Sequence, residues 1–327
     1  MRGRHHIVVQ NNIVQFKFDL YRNITILRGD SATGKSTLVD MVRQYALNGA
    51  SSGVNISSDK TCTVLTGLRW QDEIKSIQDS IVFIDEGFEF ISGVEFARAI
   101  RQSDNYYVIA TRESLFNLPY SIKEVYRIRN VARRSKYQQY DRIYSEFYPL
   151  YDDKVVFTKP DIVIVEDTNS AFEFFKAVCG KEGIQCVSAE GKSGIYGKIK
   201  ENSNKISLVI ADGAAFGPEL ERVLSLRKAA STVLFLPESF EWLVLRSGIV
   251  DDREIKEILE HPYDFVESNV YFSWERFFTA LLTDKTHGSY LQYSKKKLNP
   301  NYLHGTELNE ICDTIKRDIP GTKKNEF

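Results

Sequence analysis

No uninterrupted apolar run in this chain approaches the ~20 residues a helix needs to cross a bilayer, so a membrane-spanning protein is not expected. Cysteine is scarce. Cys62, Cys179, Cys186 and Cys312 are scattered without metal-type spacing and read as reduced thiols, not as a zinc site or a disulfide framework. Charge of one sign is lacking too: 43 Lys and Arg against 44 Asp and Glu leave a net charge of −1, so any contact with nucleic acid must come from a local patch. The start, Met1 to His6, is basic, but the residues after it alternate apolar and polar where a signal peptide would have an apolar core. The expected location is therefore the cytoplasm. His5 and His6, adjacent at a terminus, read as a solvated end. Disorder is expected only near Lys323 to Phe327, because hydrophobic content of 43% over 327 residues supplies enough apolar surface for two cores.

What is present is a phosphate-binding loop. Gly29-Asp30-Ser31-Ala32-Thr33-Gly34-Lys35-Ser36-Thr37 directly follows Arg28 and the apolar run Ile24 to Leu27, and it fills every fixed position of G-x-x-x-x-G-K-[ST]. Two glycines let the chain curl so that backbone N–H groups point inward at an anion. These nine residues are the expected contacts of a nucleoside triphosphate such as ATP, with Lys35 at the β/γ-phosphates and the Ser36 hydroxyl on Mg²⁺. The helix expected from about Ser36 to Ala46 turns its positive end to the same anion.

A second element completes the pattern. Ser80-Ile81-Val82-Phe83-Ile84-Asp85-Glu86 is an apolar strand ending in two acids, as in a Walker B motif. Asp85 is expected to hold Mg²⁺ and Glu86 to orient or deprotonate the attacking water. A further buried strand, Tyr106 to Ala110, ends at Thr111 and Arg112, either of which could meet the γ-phosphate; Thr111 reads equally as a cap. No Leu-Ser-Gly-Gly-Gln signature lies between the nucleotide motifs, which argues against a transporter ATPase.

Around these motifs the pattern is that of an α/β sheet. Ile7 to Phe18 reads as a hairpin, Thr61 to Leu65 as a strand, and Gly93 to Ser103 as a helix. From Val125 to Tyr151 basic side chains interleave with tyrosines, notably Arg133 to Tyr144, which suits either a nucleic-acid surface or a solvated antiparallel hairpin. Pro149 to Pro160 looks like a linker, giving expected domains of 1–150 and 151–327. In the second domain, Asp161 to Glu166 and Ile206 to Asp212 are apolar strands ending in acids, with a helix (about Ser170 to Gly180), a strand (Gln185 to Ser188), a Gly191-to-Gly194 turn and another helix between them. Glu166 and Asp212 should meet at one sheet edge, where paired carboxylates can bind a divalent metal. Residues 246–320 carry helical periodicity, and Lys295, Lys296 and Lys297 are either phosphate contacts or a solvated run.

This order of elements resembles the TOPRIM domain of topoisomerases, primases and the OLD (overcoming lysogenization defect) nucleases, in which a P-loop ATPase precedes the TOPRIM nuclease. The resemblance covers about residues 160–245. It implies that Glu166 is a metal ligand or general base and Asp212 the first acid of a D-x-D pair. The second acid would fall at position 214, which is Ala214. Glu241, in Ser239-Phe240-Glu241-Trp242, resembles a later acidic ligand, and one of Lys295 to Lys297 a late phosphate-neutralising lysine. The expected protein is an ATPase whose nucleotide state regulates a TOPRIM-like domain acting on DNA or RNA, either as a metal-dependent nuclease or as a non-cutting switch, with a homo-oligomer expected by analogy. A small-molecule kinase using the same loop is the third reading.

Overall fold

The computed structural model describes residues 1–30, 33–67, 69–131, 142–151, 159–226 and 231–319. Ser31 and Ala32 of the loop, the Arg133–Tyr140 stretch, most of the expected linker and the expected disordered tail lie outside them. The chain forms two compact units. The first comprises Met1–Tyr151 with His261–Phe272, and the second Asp152–Glu260 with Ser273–Phe327. A segment that reads in the sequence as part of the helical C-terminal region thus packs in the first unit.

The first unit is built on a mixed nine-stranded sheet. Strands β1 (His5–Gln10) and β2 (Val14–Leu20) pair antiparallel, and every second residue of β2 is buried, as the alternation of Val14, Phe16 and Phe18 requires. Then come β3 (Ile24–Leu27), α1 (Lys35–Asn48), β4 (Asn55–Ser57), β5 (Thr61–Val64), α2 (Trp70–Ser76), β6 (Ser80–Ile84), α3 (Val94–Arg101), β7 (Tyr106–Ala110), β8 (Val125–Val131) and β9 (Ile143–Pro149). The order is β4-β1-β2-β9-β8-β3-β7-β6-β5. Strands β3, β6 and β7 are buried along their whole length, which explains their largely apolar sequences, broken only by Thr25 and Ser80. Strands β8 and β9 do form the antiparallel hairpin of the Tyr/Arg stretch, but β9 also pairs parallel with β2 and so joins hairpin to hairpin.

The second unit carries a four-stranded parallel sheet in the order β11-β10-β12-β13. Its elements are β10 (Ile162–Val165), α4 (Ser170–Lys181), β11 (Gln185–Ser188), α5 (Lys192–Glu201), β12 (Ser207–Ile210), α6 (Gly217–Leu226) and β13 (Thr232–Phe235). Helices α7 (Phe240–Arg246), α8 (Arg253–Glu260), α9 (Trp274–Thr286) and α10 (Gly305–Asp318) follow. The expected Gly191-to-Gly194 turn is in fact the start of α5, because Gly191, at φ 111°, reverses the chain directly into the helix. Strand order reverses between β10 and β12, and at such a point loops part and leave a crevice at the C-terminal ends of the strands.

One close approach fixes that edge. The Gly213 amide donates to the Pro237 carbonyl at 2.6 Å, and a Cβ at Gly213 would sit 2.3 Å from the Leu236 oxygen. Gly213→Ala must therefore push apart the loops after β12 and β13. The expected cost is about 1–3 kcal/mol, as for other overpacked sites, read as a fall of several degrees in the thermal midpoint. An unchanged midpoint would mean that the two loops are not held together there.

Candidate functional site

In the first unit the glycine-lysine loop from Gly29 to Thr37 leaves the C-terminal end of β3, which lies between β8 and β7. The Arg28 amide donates to the Tyr126 carbonyl at 2.7 Å and the Thr111 amide to the Leu27 carbonyl at 3.1 Å, so both neighbours hold the point where the loop begins. Gly34 sits at φ 95°, in the left-handed region that favours glycine, immediately before α1. Lys35, 4% exposed, curls back over the loop and donates to the carbonyls of Gly29 (2.6 Å) and Asp30 (2.9 Å). Its ammonium also lies 3.8 Å from Glu86.

The two acids beyond β6 divide their work. Asp85 Oδ1 accepts from the Ser36 hydroxyl at 3.1 Å and from the Glu86 amide at 2.9 Å. Ser36 and Asp85, nearly 50 residues apart in sequence, are thus brought together as hard oxygen donors, a set that suits Mg²⁺. Glu86 is gripped by the Arg112 guanidinium through Nη2 to Oε1 at 2.8 Å and Nε to Oε2 at 3.2 Å. This fork, assisted by the charge of Lys35, holds the Glu86 carboxyl below its ordinary range. Of the two residues offered at the end of β7, Arg112 therefore reaches the site. Thr111 closes a local turn, exchanging hydrogen bonds with the backbone of Glu113.

A cavity of about 330 Å³ opens beside this carboxylate, lined by Glu86, Phe88, Ile91, Arg112 and Leu115 among others. A groove of about 910 Å³ lies instead along α2 and α3 and shares no residue with the loop or with Asp85 and Glu86.

In the second unit β10 and β12 are adjacent and in register, so Glu166 and Asp212 emerge side by side at the crevice. The Asp212 amide donates to Glu166 Oε2 at 3.0 Å. Glu241, 2% exposed in the first turn of α7, accepts from the Tyr293 hydroxyl at 2.8 Å. Burial pushes the Glu166 carboxyl up to about 7, with the charge of Glu275 adding to the effect. Asp212 is raised by burial and then by the charges of Glu275, Glu166 and Glu241. Glu275, in the first turn of α9, is a member of this cluster that nothing in the sequence pattern singles out.

Two lysines face these acids. Lys295 donates to Glu275 Oε1 at 2.5 Å; burial works against its charge, yet Glu241, Glu275 and Asp212 hold it above its ordinary value. Lys192, at the start of α5, donates to the Ala215 carbonyl at 3.2 Å, and burial lowers it. Ala214 is 2% exposed, with its amide on the Glu238 carbonyl, so no carboxylate stands where the TOPRIM pattern has its second aspartate. Among the described residues no three His, Cys, Asp or Glu side chains are grouped so as to hold a metal ion. The expected ligands Glu166, Asp212 and Glu241 share one neighbourhood without forming a ready-made cage. Among the described residues no helix is long and apolar enough to cross a membrane.

The raised Glu166 carboxyl has a consequence for stability. Between the ordinary glutamate value of about 4.3 and about 7, the folded protein keeps a proton that the unfolded chain has lost, so stability contributed at this site falls as pH rises through that window. Glu166→Gln should remove the fall. The thermal midpoint of the variant relative to the native chain is expected to climb from pH 4.5 to 7 and then level off, and a difference independent of pH would show that Glu166 titrates normally.

No protein-family model matches the chain, and no curated protein matches it. The functional reading therefore rests on the geometry of these two clusters and on the motifs that carry them.

Proposed function

We propose that the first unit binds and hydrolyses a nucleoside triphosphate such as ATP, and that its nucleotide state governs a TOPRIM-like second unit that binds nucleic acid. The observation that carries the first clause is the joining of Ser36 to Asp85 beneath the Lys35 loop, with Glu86 beside it. Lys35 turns from its loop carbonyls to the β/γ-phosphates, and the backbone N–H groups at the start of α1 complete the anion cradle. Ser36 and Asp85 would hold Mg²⁺, which when bound neutralises charge on the phosphates.

The state of Glu86 bears on its role. A carboxylate held below its ordinary range is a weak proton acceptor, so Glu86 serves by orienting the attacking water while the phosphate itself takes up the proton. Arg112 sets the direction of that carboxylate. The nucleic-acid partner comes from the TOPRIM resemblance, and an acidic edge already occupied by Lys295 favours binding over cleavage. The rival reading, a metal-dependent nuclease, has the convergence of Glu166, Asp212 and Glu241 in its favour.

Two assays test these readings. Lys35→Ala and Glu86→Gln should each lower ATP turnover by about 10²-fold or more, the loss typical of a removed charge-stabilising group. Equal turnover in all three proteins rejects the hydrolase. Plasmid and single-stranded DNA incubated with the protein in Mg²⁺ or Mn²⁺ should stay intact, whereas cleavage abolished by Glu166→Ala would establish the nuclease. A phosphorylated metabolite in place of free phosphate would indicate a kinase with its acceptor in the cavity beside Glu86.

A further inference from the structure

The acid cluster of the second unit is already supplied with a positive charge, and the supply is built into the backbone. The loop that carries Lys295 is fastened at several points. Ser170, at the start of α4, donates through its hydroxyl to the Ser294 carbonyl at 2.6 Å and through its amide to the Lys295 carbonyl at 3.2 Å. The Leu298 amide donates to Glu173 at 2.7 Å, and the Tyr293 amide to the Thr286 hydroxyl at 2.9 Å. A lysine side chain loses considerable rotamer freedom when it is fixed among carboxylates. Here its loop is ordered by other contacts, so the ammonium is delivered to the cluster while the side chain stays partly exposed.

Three of the four carboxylates each hold one partner of their own. Glu166 Oε2 accepts the Asp212 amide, Glu241 Oε1 the Tyr293 hydroxyl and Glu275 Oε1 the Lys295 ammonium. Mg²⁺ demands near-octahedral oxygen ligands, and among the described residues no three His, Cys, Asp or Glu side chains are grouped so as to hold a metal ion. Position 214, which would supply a further carboxylate, is a buried alanine. The residues as placed do not fit the divalent ion that the TOPRIM resemblance implies.

We infer that Lys295 is the resident cation of this cluster, standing in place of a divalent metal, so that the acidic edge of the second unit works without a metal ion. This deepens the non-cutting reading of the second unit and is independent of hydrolysis in the first. Glu275 then has a definite task as the carboxylate that receives the ammonium and holds it towards Asp212 and Glu241.

The test counts ions on the full chain, with the first-unit site silenced by Asp85→Asn. Free Mn²⁺ is followed by its electron paramagnetic resonance signal, without nucleotide. The D85N chain should bind no Mn²⁺ at the second unit, and adding Lys295→Met should create one site per chain that further replacement by Asp212→Asn removes. D85N with Lys295→Arg, which keeps the charge, should bind none. An ion already bound by the D85N chain and lost on Asp212→Asn or Glu166→Gln overturns the inference, and this arm decides alone should the Met variant fail to fold. A folded Met variant that binds no Mn²⁺ overturns it as well, since a cluster that needs no cation has none to replace. ATP turnover by Lys35→Ala separates these outcomes from a failure of the hydrolase reading.

Discussion

Strands buried on both faces carry few polar side chains, so the chemistry-bearing groups of both units lie beyond the strands' last residues. In the first unit β3, β6 and β7 are buried throughout and apolar but for Thr25 and Ser80, and Lys35, Asp85, Glu86 and Arg112 all lie past their ends. The second unit repeats the arrangement with β10 and β12, followed by Glu166 and Asp212. Because the strands are parallel and in register, residues distant in sequence arrive at one edge without any contact between the motifs having to be specified separately. The loops need only be short and correctly turned.

The two edges manage charge differently. Around Glu86 the partners are a half-exposed arginine and a buried lysine whose nearest acceptors are carbonyls of its own loop. Such charges can be redistributed when an anion arrives, because the exposed guanidinium loses little by returning to water. Around Asp212 four carboxylates converge, the buried Glu241 among them, and a buried carboxylate left without a partner is far more costly than an exposed one. An ammonium held against the cluster by Glu275 is the simplest remedy the chain can encode.

Much of this was legible in the sequence because the relevant signals are local. The loop from Gly29 to Thr37 and the apolar strand before Asp85 and Glu86 each lie within a dozen residues, and the structure joins Ser36 to Asp85 as the motifs imply. The adjacency of Glu166 and Asp212 was equally readable, since two buried parallel strands separated by helices leave few other arrangements. Glu275 was not readable. It sits at an ordinary helix start, in Ser273-Trp274-Glu275, and joins the cluster only through the packing of α9. Lys295 was one of three consecutive lysines, and what distinguishes it is the tethering of its backbone to Ser170, more than 120 residues away. The parallel pairing of β2 with β9 and the placing of 261–272 in the first unit were hidden for the same reason: strand partners and packing faces are long-range facts, whereas periodicity reports only which face of an element is apolar.

Exchanging a divalent ion for a lysine changes what an acidic edge can do. Both neutralise carboxylates, but a metal ion also polarises a phosphoryl oxygen and lowers the pKa of bound water, which is how it produces a nucleophile at neutral pH. An ammonium offers one charge and three N–H donors, enough to attract and orient a phosphate and too little to activate water against a phosphodiester. The alanine at position 214, where the TOPRIM resemblance would place an aspartate, and the pairing of Lys295 with Glu275 act in the same direction on that reading. One removes a ligand that metal chemistry would use, and the other supplies the charge that the remaining acids require. On the proposed reading, an edge so constituted would keep the electrostatic balance of the cluster without bond cleavage, and hydrolysis in the first unit would be the source of chemical work.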